Sequence, residues 1–575
     1  MTEGAIQPSV CRPGALGLRV TLAITLMSSL MLSACDVKTP AADAWGRVVE
    51  LRDDTDMWPK GKPMGGWWVT PIHATLLPSG QVLITGWSRR DHSDCEEESG
   101  TRKNGVTFLL DPAKLTGNSS NVVPVDEQGS HASDVLYCAG HGPLADGRVL
   151  FSGGARYERL GKLGESELGL NYARLYNPAD NSFMRVGKTM TGGPDREEGI
   201  RWYPTNTRLA GSNVLVTGGF TRYGGSTFGN LSIELFDYQR LDAGKNPWHL
   251  IVSHRDGLPD MTPETLDYTH VYLLPSPLPP VRGNGFGRQV AMLGGSGKVL
   301  LFNYTDELSR RDRFMAPLNG QRGARGDGST GALLSSGEIL VLGGADSPIT
   351  GQRADFYDPQ TDTWKSVNTN IGRIHAASVL LPDGTVLILN GDGRPDFVGD
   401  RRRPQTIDPV THMVTSLPAW PDDPFERGYH NFALLLKDGR VLLGGGKDSE
   451  QSKVGCERPD VRIYTPGYLS KGPRPSLVEV LEPVKMTVGG QEVSFHYTNG
   501  PIRSGHGVVL MALGSTTHSF DQNQRYIALD FHVPVAGTVK VTPPANYFLA
   551  PAGDYILFIL SDLGVPSEGK HVRLD

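Results

Sequence analysis

Short apolar strands broken by Gly-containing turns recur along most of this chain. Seven times the sequence writes an apolar strand, a turn with Gly or Asp-Gly, and a second apolar strand often closed by Gly-Gly. Six copies are plain: His73 to Gly86, Cys138 to Gly154, Tyr203 to Gly219, Gly328 to Gly344, His375 to Gly391 and Tyr429 to Gly446. The copy fourth in order is distorted, running from Tyr268 through Leu274 and resuming at Arg288 to Phe302 after a Pro-rich insertion. Outer-strand signals such as Leu175-Tyr-Asn-Pro178 and Phe356-Tyr-Asp-Pro-Gln-Thr-Asp-Thr-Trp364 lie between copies. Units of this kind at a period of about 60 residues predict an all-β chain in which a seven-bladed β-propeller, one four-stranded sheet per blade, fills residues 45–469.

The units resemble kelch repeats. After Pro466-Gly-Tyr-Leu469 they stop, and residues 470–575 alternate in period two, as in Val493-Ser-Phe-His and Thr538-Val-Lys-Val-Thr. Some seven short strands in about 100 residues predict an immunoglobulin-like β-sandwich as a second domain. The composition agrees: of 575 residues, 71 are Gly and 41 Pro, which favours turn-dense β structure. The net charge of −6 is small for this length and no basic stripe is present, which argues against a nucleic-acid partner.

The N-terminus reads as a targeting segment. Arg12 and Arg19 precede the apolar run Val20 to Leu32, too short to span a bilayer and suited to a signal peptide. The run ends Leu32-Ser-Ala-Cys35, similar to a bacterial lipobox. Residues 1–34 are therefore expected to be removed, with Cys35 lipidated, residues 35–44 as a linker, and the protein in the cell envelope, anchored through lipid or secreted. Cys95, Cys138 and Cys456 then remain in an oxidising compartment. A Cys95–Cys456 bridge is open on these grounds, and Cys138 is the candidate for another task.

Register locates a site. In a propeller the loops entering the inner strands line one mouth of the central channel. The first Val or Ile after each turn is Val149, Val214, Ile339, Val386 or Val441, and eleven residues upstream stand Cys138, Tyr203, Gly328, His375 and His430, with Tyr429 one step further out. Reactive side chains recurring at equivalent entrances point to a site on the axis. His518, beyond the repeats, joins it only if its loop reaches the propeller mouth.

Four segments resemble the signature set of the galactose oxidase and glyoxal oxidase family: Tyr-Cys138-Ala-Gly, Arg201-Trp-Tyr203-Pro-Thr, Arg427-Gly-Tyr429-His430 and Ser515-Thr-Thr-His518-Ser…Asp521-Gln…Gln524-Arg525. The tail from Ala550 to Ser567 is similar to that family's C-terminal domain. The resemblance implies a copper radical oxidase that oxidises an alcohol or aldehyde while reducing O2 to hydrogen peroxide. It implies Tyr203, His430 and His518 as equatorial copper ligands and Tyr429 as the axial one. It also implies a self-formed thioether between Cys138 and the Tyr203 ring, the seat of a tyrosyl radical. His375 is not a ligand in that family and reads as channel-lining or structural.

The donor chemistry agrees. Two imidazoles and two phenolates form the mixed N,O shell that Cu(II) favours, whereas zinc sites recruit Cys or carboxylate. One departure stands out. Galactose oxidase has a Trp shortly after the Gly-Gly of the blade that carries the modified Tyr, but here the segment is Gly218-Gly219-Phe220-Thr221-Arg222. Phe220 is the candidate substitute at the substrate, unless another aromatic serves. The expected partners are O2 and a small-molecule or carbohydrate substrate, with the chain acting as a monomer. The rival reading is a kelch-type propeller that binds envelope glycan or protein without catalysis.

Overall fold

The computed structural model describes residues 43–53, 67–89, 104–115, 122–129, 134–159, 165–187, 190, 199–211, 213–223, 229–253, 268–278, 288–293, 299–304, 325–419, 426–447 and 457–575. Residues 1–34, Cys35, Cys95 and Cys456 lie outside this set, so the signal, lipidation and bridge expectations do as well. The chain is all-β. Among the described residues seven sheets come from the repeat region, and two more are built from residues 476 onward.

Each repeat contributes an antiparallel meander to its own sheet. In the sixth, Ala377–Leu380 pairs Val386–Leu389, then Gln405–Ile407, then Val414–Ser416. The distorted fourth copy shows three strands among the described residues, Val271–Leu278, Arg288–Leu293 and Val299–Phe302. The seventh sheet takes its outer strands from the other end of the chain, where Ala44–Trp45 and Val49–Glu50 pair Asp460–Thr465. The first strands of neighbouring sheets touch: Asn431–Leu435 meets Trp67–Leu76, and Asp134–Pro143 meets Thr205–Arg208. Their apolar faces, with Ala74, Leu340, Ile388 and Leu442 among them, share a buried cluster with Val509, Met511 and Phe558 of the C-terminal strands.

The Gly-Gly closures have a steric reason. A Cβ on Gly445 would lie 2.1 Å from the Pro71 carbonyl oxygen and 2.6 Å from that of His430, and its φ is +62°. Only glycine tolerates both the approach and the left-handed backbone. Opposite these glycines sits a buried arginine, two or three residues before the entrance position in four of the repeats. Arg201, Arg325 and Arg427 donate to the carbonyls of Gly218 (2.8 Å), Gly343 (2.7 Å) and Gly445 (2.9 Å). Each also pairs a buried carboxylate on the third strand, at Glu234 (2.9 Å), Asp355 (2.5 Å) and Asp460 (2.5 Å). Arg373 does the same work with carbonyls alone, those of Asn390, Arg401 and Arg403. These clamps fix the entrance loops to the sheets. Their repetition is a signal in the sequence that hydrophobic patterning does not reveal.

Candidate metal centre

Four of the five entrance residues picked out by register, all but Cys138, share one unusual backbone state. Tyr203, Gly328, His375 and His430 have φ of +63°, +71°, +55° and +68°, and Tyr268 of the distorted repeat has +43°. For a residue with a side chain this left-handed geometry costs roughly 1–2 kcal/mol, so four aromatic residues held in it indicate a site that the surrounding fold over-determines. Successive entrances are tied by backbone bonds: Tyr203 N–H donates to the Cys138 carbonyl (2.9 Å), Tyr268 to Tyr203 (3.0 Å) and His375 to Gly328 (2.7 Å). Cys138 itself lies where the pairing of Asp134–Pro143 slips, between Val135 and Ala139, and this irregularity releases it from the ladder. Its thiol is buried, in no disulfide, and in the same cluster as the Tyr203 ring.

His518 arrives from the C-terminal segment. Ser515–Thr517 adds a strand to the first sheet, with Ser515 opposite Thr75 and Thr517 opposite His73. The residues around it then bond to every other repeat. The Gln522 side-chain oxygen accepts from the His141 (3.2 Å) and Asn206 (2.9 Å) amides. Arg525 donates to the Leu273 carbonyl (3.1 Å), and Thr330 donates to that of Ser519 (2.8 Å). Gln524 bridges Leu380 and Ser378, and Ser519 N–H donates to Asn431 O (2.8 Å). Asp521 holds the turn together, one oxygen accepting the amides of Ser515 (3.0 Å), Asn523 (2.9 Å) and Gln524 (2.8 Å). Burial raises the pKa of that carboxyl despite these three donors.

This loop brings the expected side chains together. The His518 ring centroid lies 4.6 Å from that of His430, 4.7 Å from Tyr203 and 5.1 Å from Tyr429, and the two phenol hydroxyls hydrogen-bond each other. His430 Nδ1 bonds Glu457 (2.5 Å), whose other oxygen accepts the Trp87 indole N–H. His518 Nδ1 bonds Thr517 Oγ1 (2.6 Å). The remaining nitrogen of each ring, Nε2, is buried without a hydrogen-bond partner among the described residues. Leaving such an atom unmet costs roughly 1–3 kcal/mol, which argues for a ligand. Burial, with His430, His73 and other imidazoles adding to it, holds the His518 pKa well below the usual value, so its lone pair is free to coordinate. Among the described residues no group of three or more His, Cys, Asp or Glu could hold a metal. The converging donors are two imidazoles and two phenols, a set that fits copper.

Two residues that register missed belong to this centre. Trp202 lies flat on Tyr203 at 4.3 Å between centroids and 27° between planes, while Phe220 packs behind Trp202 at 5.9 Å. The aromatic cover over Tyr203 therefore comes from its own chain neighbour. Tyr268 flanks Tyr203 at 5.0 Å and His518 at 4.7 Å; the insertion in its repeat hid it from the spacing rule. His375 stands beside Tyr429 at 5.3 Å and bonds Asp392.

Comparison with known proteins bears out the resemblance to the galactose oxidase and glyoxal oxidase family. Residues 474–574 match the Galactose oxidase-like Early set domain. The chain is 28% identical over 420 residues to an aldehyde oxidase GLOX of Vitis pseudoreticulata, covering 65% of this chain and 72% of that protein. It is 27% identical over 254 residues to galactose oxidase of Gibberella zeae, covering 41% and 36%. The alignment thus spans well under half of the latter's length. Among solved structures, a fungal alcohol oxidase of the AA5 family in complex with copper superposes with a TM-score of 0.66 at 17% identity, covering 93% of this chain and 99% of that one. At that identity the likeness is one of fold.

Proposed function

We propose that this chain is a copper radical oxidase that converts a primary alcohol to an aldehyde, or a hydrated aldehyde to an acid, with O2 reduced to hydrogen peroxide. The observation that carries the reading is the pair of buried Nε2 atoms of His430 and His518, without hydrogen-bond partners among the described residues, in rings packed against the two hydrogen-bonded phenols. Tyr203, Tyr429, His430 and His518 would hold copper, which when bound supplies a polarising charge and takes one of the two electrons. Tyr429, half-buried, accepts the proton of the substrate hydroxyl as general base. The oxidised Tyr203 ring takes the hydrogen from the adjacent carbon and with it the second electron. Both electrons and two protons then pass to O2. The Trp202 face excludes water from the radical ring.

In the same reading Cys138 sulfur bonds to the Tyr203 ring, with O2 taking the two hydrogens lost and leaving as peroxide. The cluster shared by Cys138 and Tyr203 supports this pairing. The neighbour contacts between the sheets support seven blades around an axis, and the core shared by the last two sheets supports an immunoglobulin-like sandwich. Lipid attachment at Cys35 in a bacterial envelope is part of the proposal and is tested by membrane partition of Cys35→Ala. The deciding experiment is copper addition followed by peroxide assay on a broad panel of alcohols and aldehydes, with mass spectrometry of the 138 and 203 peptides. Peroxide and a linked pair lighter by two hydrogens support the oxidase. Absence of bound copper, crosslink and peroxide favours the binding propeller.

A further inference from the structure

His375 has the left-handed backbone of a site residue, a ring next to Tyr429, and no place in the mechanism above. Its surroundings are shaped around it. A Cβ on Gly328, the entrance residue of the preceding repeat, would fall 2.7 Å from His375 Cδ2, so that repeat's lack of a side chain makes room for the ring. Its partner Asp392 is seated similarly: a Cβ on Gly428 would lie 2.3 Å from the Asp392 carboxylate. Ile374 and Asp392 exchange backbone bonds of 2.8 and 2.9 Å, and Asn431 Nδ2 donates to the His375 carbonyl (2.8 Å). The dyad is rigid.

Its polarity follows from its partner. A carboxylate only accepts, so the Nδ1 of His375, 3.2 Å from Asp392 Oδ1, carries the proton. In the neutral ring Nε2 is then a lone-pair acceptor, and no hydrogen bond reaches it among the described residues. The side chain is 18% exposed, enough for a small molecule to touch. It lies beside the phenol that would take the proton of the reacting hydroxyl. An acceptor in that place suits an O–H other than the reacting one.

Resting on the proposed oxidase reading, we infer that His375, oriented by Asp392, accepts a hydrogen bond from a second substrate hydroxyl, on the reacting carbon or its neighbour. Hydrated aldehydes, RCH(OH)2, and 1,2-diols carry such a second hydroxyl, and simple alcohols lack it. For the hydrated aldehyde the balance is RCH(OH)2 + O2 → RCOOH + H2O2. His375 is a positioning residue for the second hydroxyl, and the proton of the reacting one goes to Tyr429.

The test uses copper-loaded protein and the best hydrated aldehyde, 1,2-diol and mono-alcohol from the panel above. His375→Asn keeps an amide where Nδ1 was, tolerates the left-handed backbone, and loses the reach of Nε2. His375→Gln keeps that reach. The expected result is that His375→Asn lowers kcat/KM for one or both two-hydroxyl substrates, relative to the mono-alcohol, by about tenfold, the worth of one hydrogen bond. His375→Gln should recover most of that ratio. Which two-hydroxyl substrate responds tells the geminal from the vicinal arrangement. An equal fall for all three substrates, or no change, overturns the inference. A wild type that yields no peroxide with any substrate instead defeats the oxidase reading on which it rests.

Discussion

The Tyr203 ring is covered by Trp202, the residue immediately before it, with centroids 4.3 Å apart. In extended chain, adjacent side chains point to opposite faces and cannot stack. The +63° φ of Tyr203 breaks that alternation and lets the two rings meet. The strained backbone is therefore what supplies the Tyr203 ring with its cover, and the aromatic need not come from the Gly-Gly segment of that repeat.

Removing that cover should shorten the life of the oxidised state. Stacked aromatic pairs contribute about 0.5–1.5 kcal/mol beyond burial, so Trp202→Ala should speed decay of the oxidised Tyr203 by about 2- to 10-fold. Trp202→Phe should lie between the variant and wild type. Electron paramagnetic resonance and the optical band of the oxidised protein, followed over time, provide the check. Unchanged decay with full copper loading would remove Trp202 from the site.

Glu457 orients His430 by accepting from Nδ1 and is itself held by Trp87. Carboxylates behind ligating histidines typically matter 10- to 100-fold for metal affinity. Glu457→Gln should weaken copper binding by about that factor, measured by competition with a chelator of known strength. Equal affinity in variant and wild type would mean that His430 is not a ligand.

Arg427, three residues before His430 in the chain, pairs the buried Asp460 at 2.5 Å. Arg427→Met strands a buried carboxylate, with Arg458 at 3.3 Å to compensate in part. The loss should be about 3–5 kcal/mol, read from urea or thermal unfolding. A change within 0.5 kcal/mol would show that the clamp is redundant.

Stability of the metal-free protein should fall with acid. His73, His141 and His518 are buried, and burial lowers all three, His141 to about 3 and the others well below 6.5. Below pH 6.5 the unfolded chain takes up protons that the fold refuses. Their contribution is therefore complete above that pH and lost as pH falls toward the folded values, at up to about 1.4 kcal/mol per pH unit for each group. The raised carboxyl of Asp521 opposes this, since it gains stability as pH falls through its folded pKa. Unfolding free energies from urea titrations at pH 7 and 5 should differ by about several kcal/mol, and His141→Asn should flatten the slope. A pH-independent midpoint would contradict the burial of these rings.

The sequence by itself determined the repeating β units, because period-two apolar strands and Gly-Gly closures are local demands of pleat and backbone. It also set the equivalence of Cys138, Tyr203, His375 and His430, because a repeat that preserves spacing preserves position at the entrance of its sheet. It did not reveal Tyr268, whose repeat carries an insertion that destroys the spacing, nor the stacking of Trp202, which depends on a single left-handed φ. Only the tertiary structure decided that His518 joins His430: the Ser515–Arg525 segment reaches its place through bonds to all seven repeats, and no local pattern encodes contacts spread over hundreds of residues.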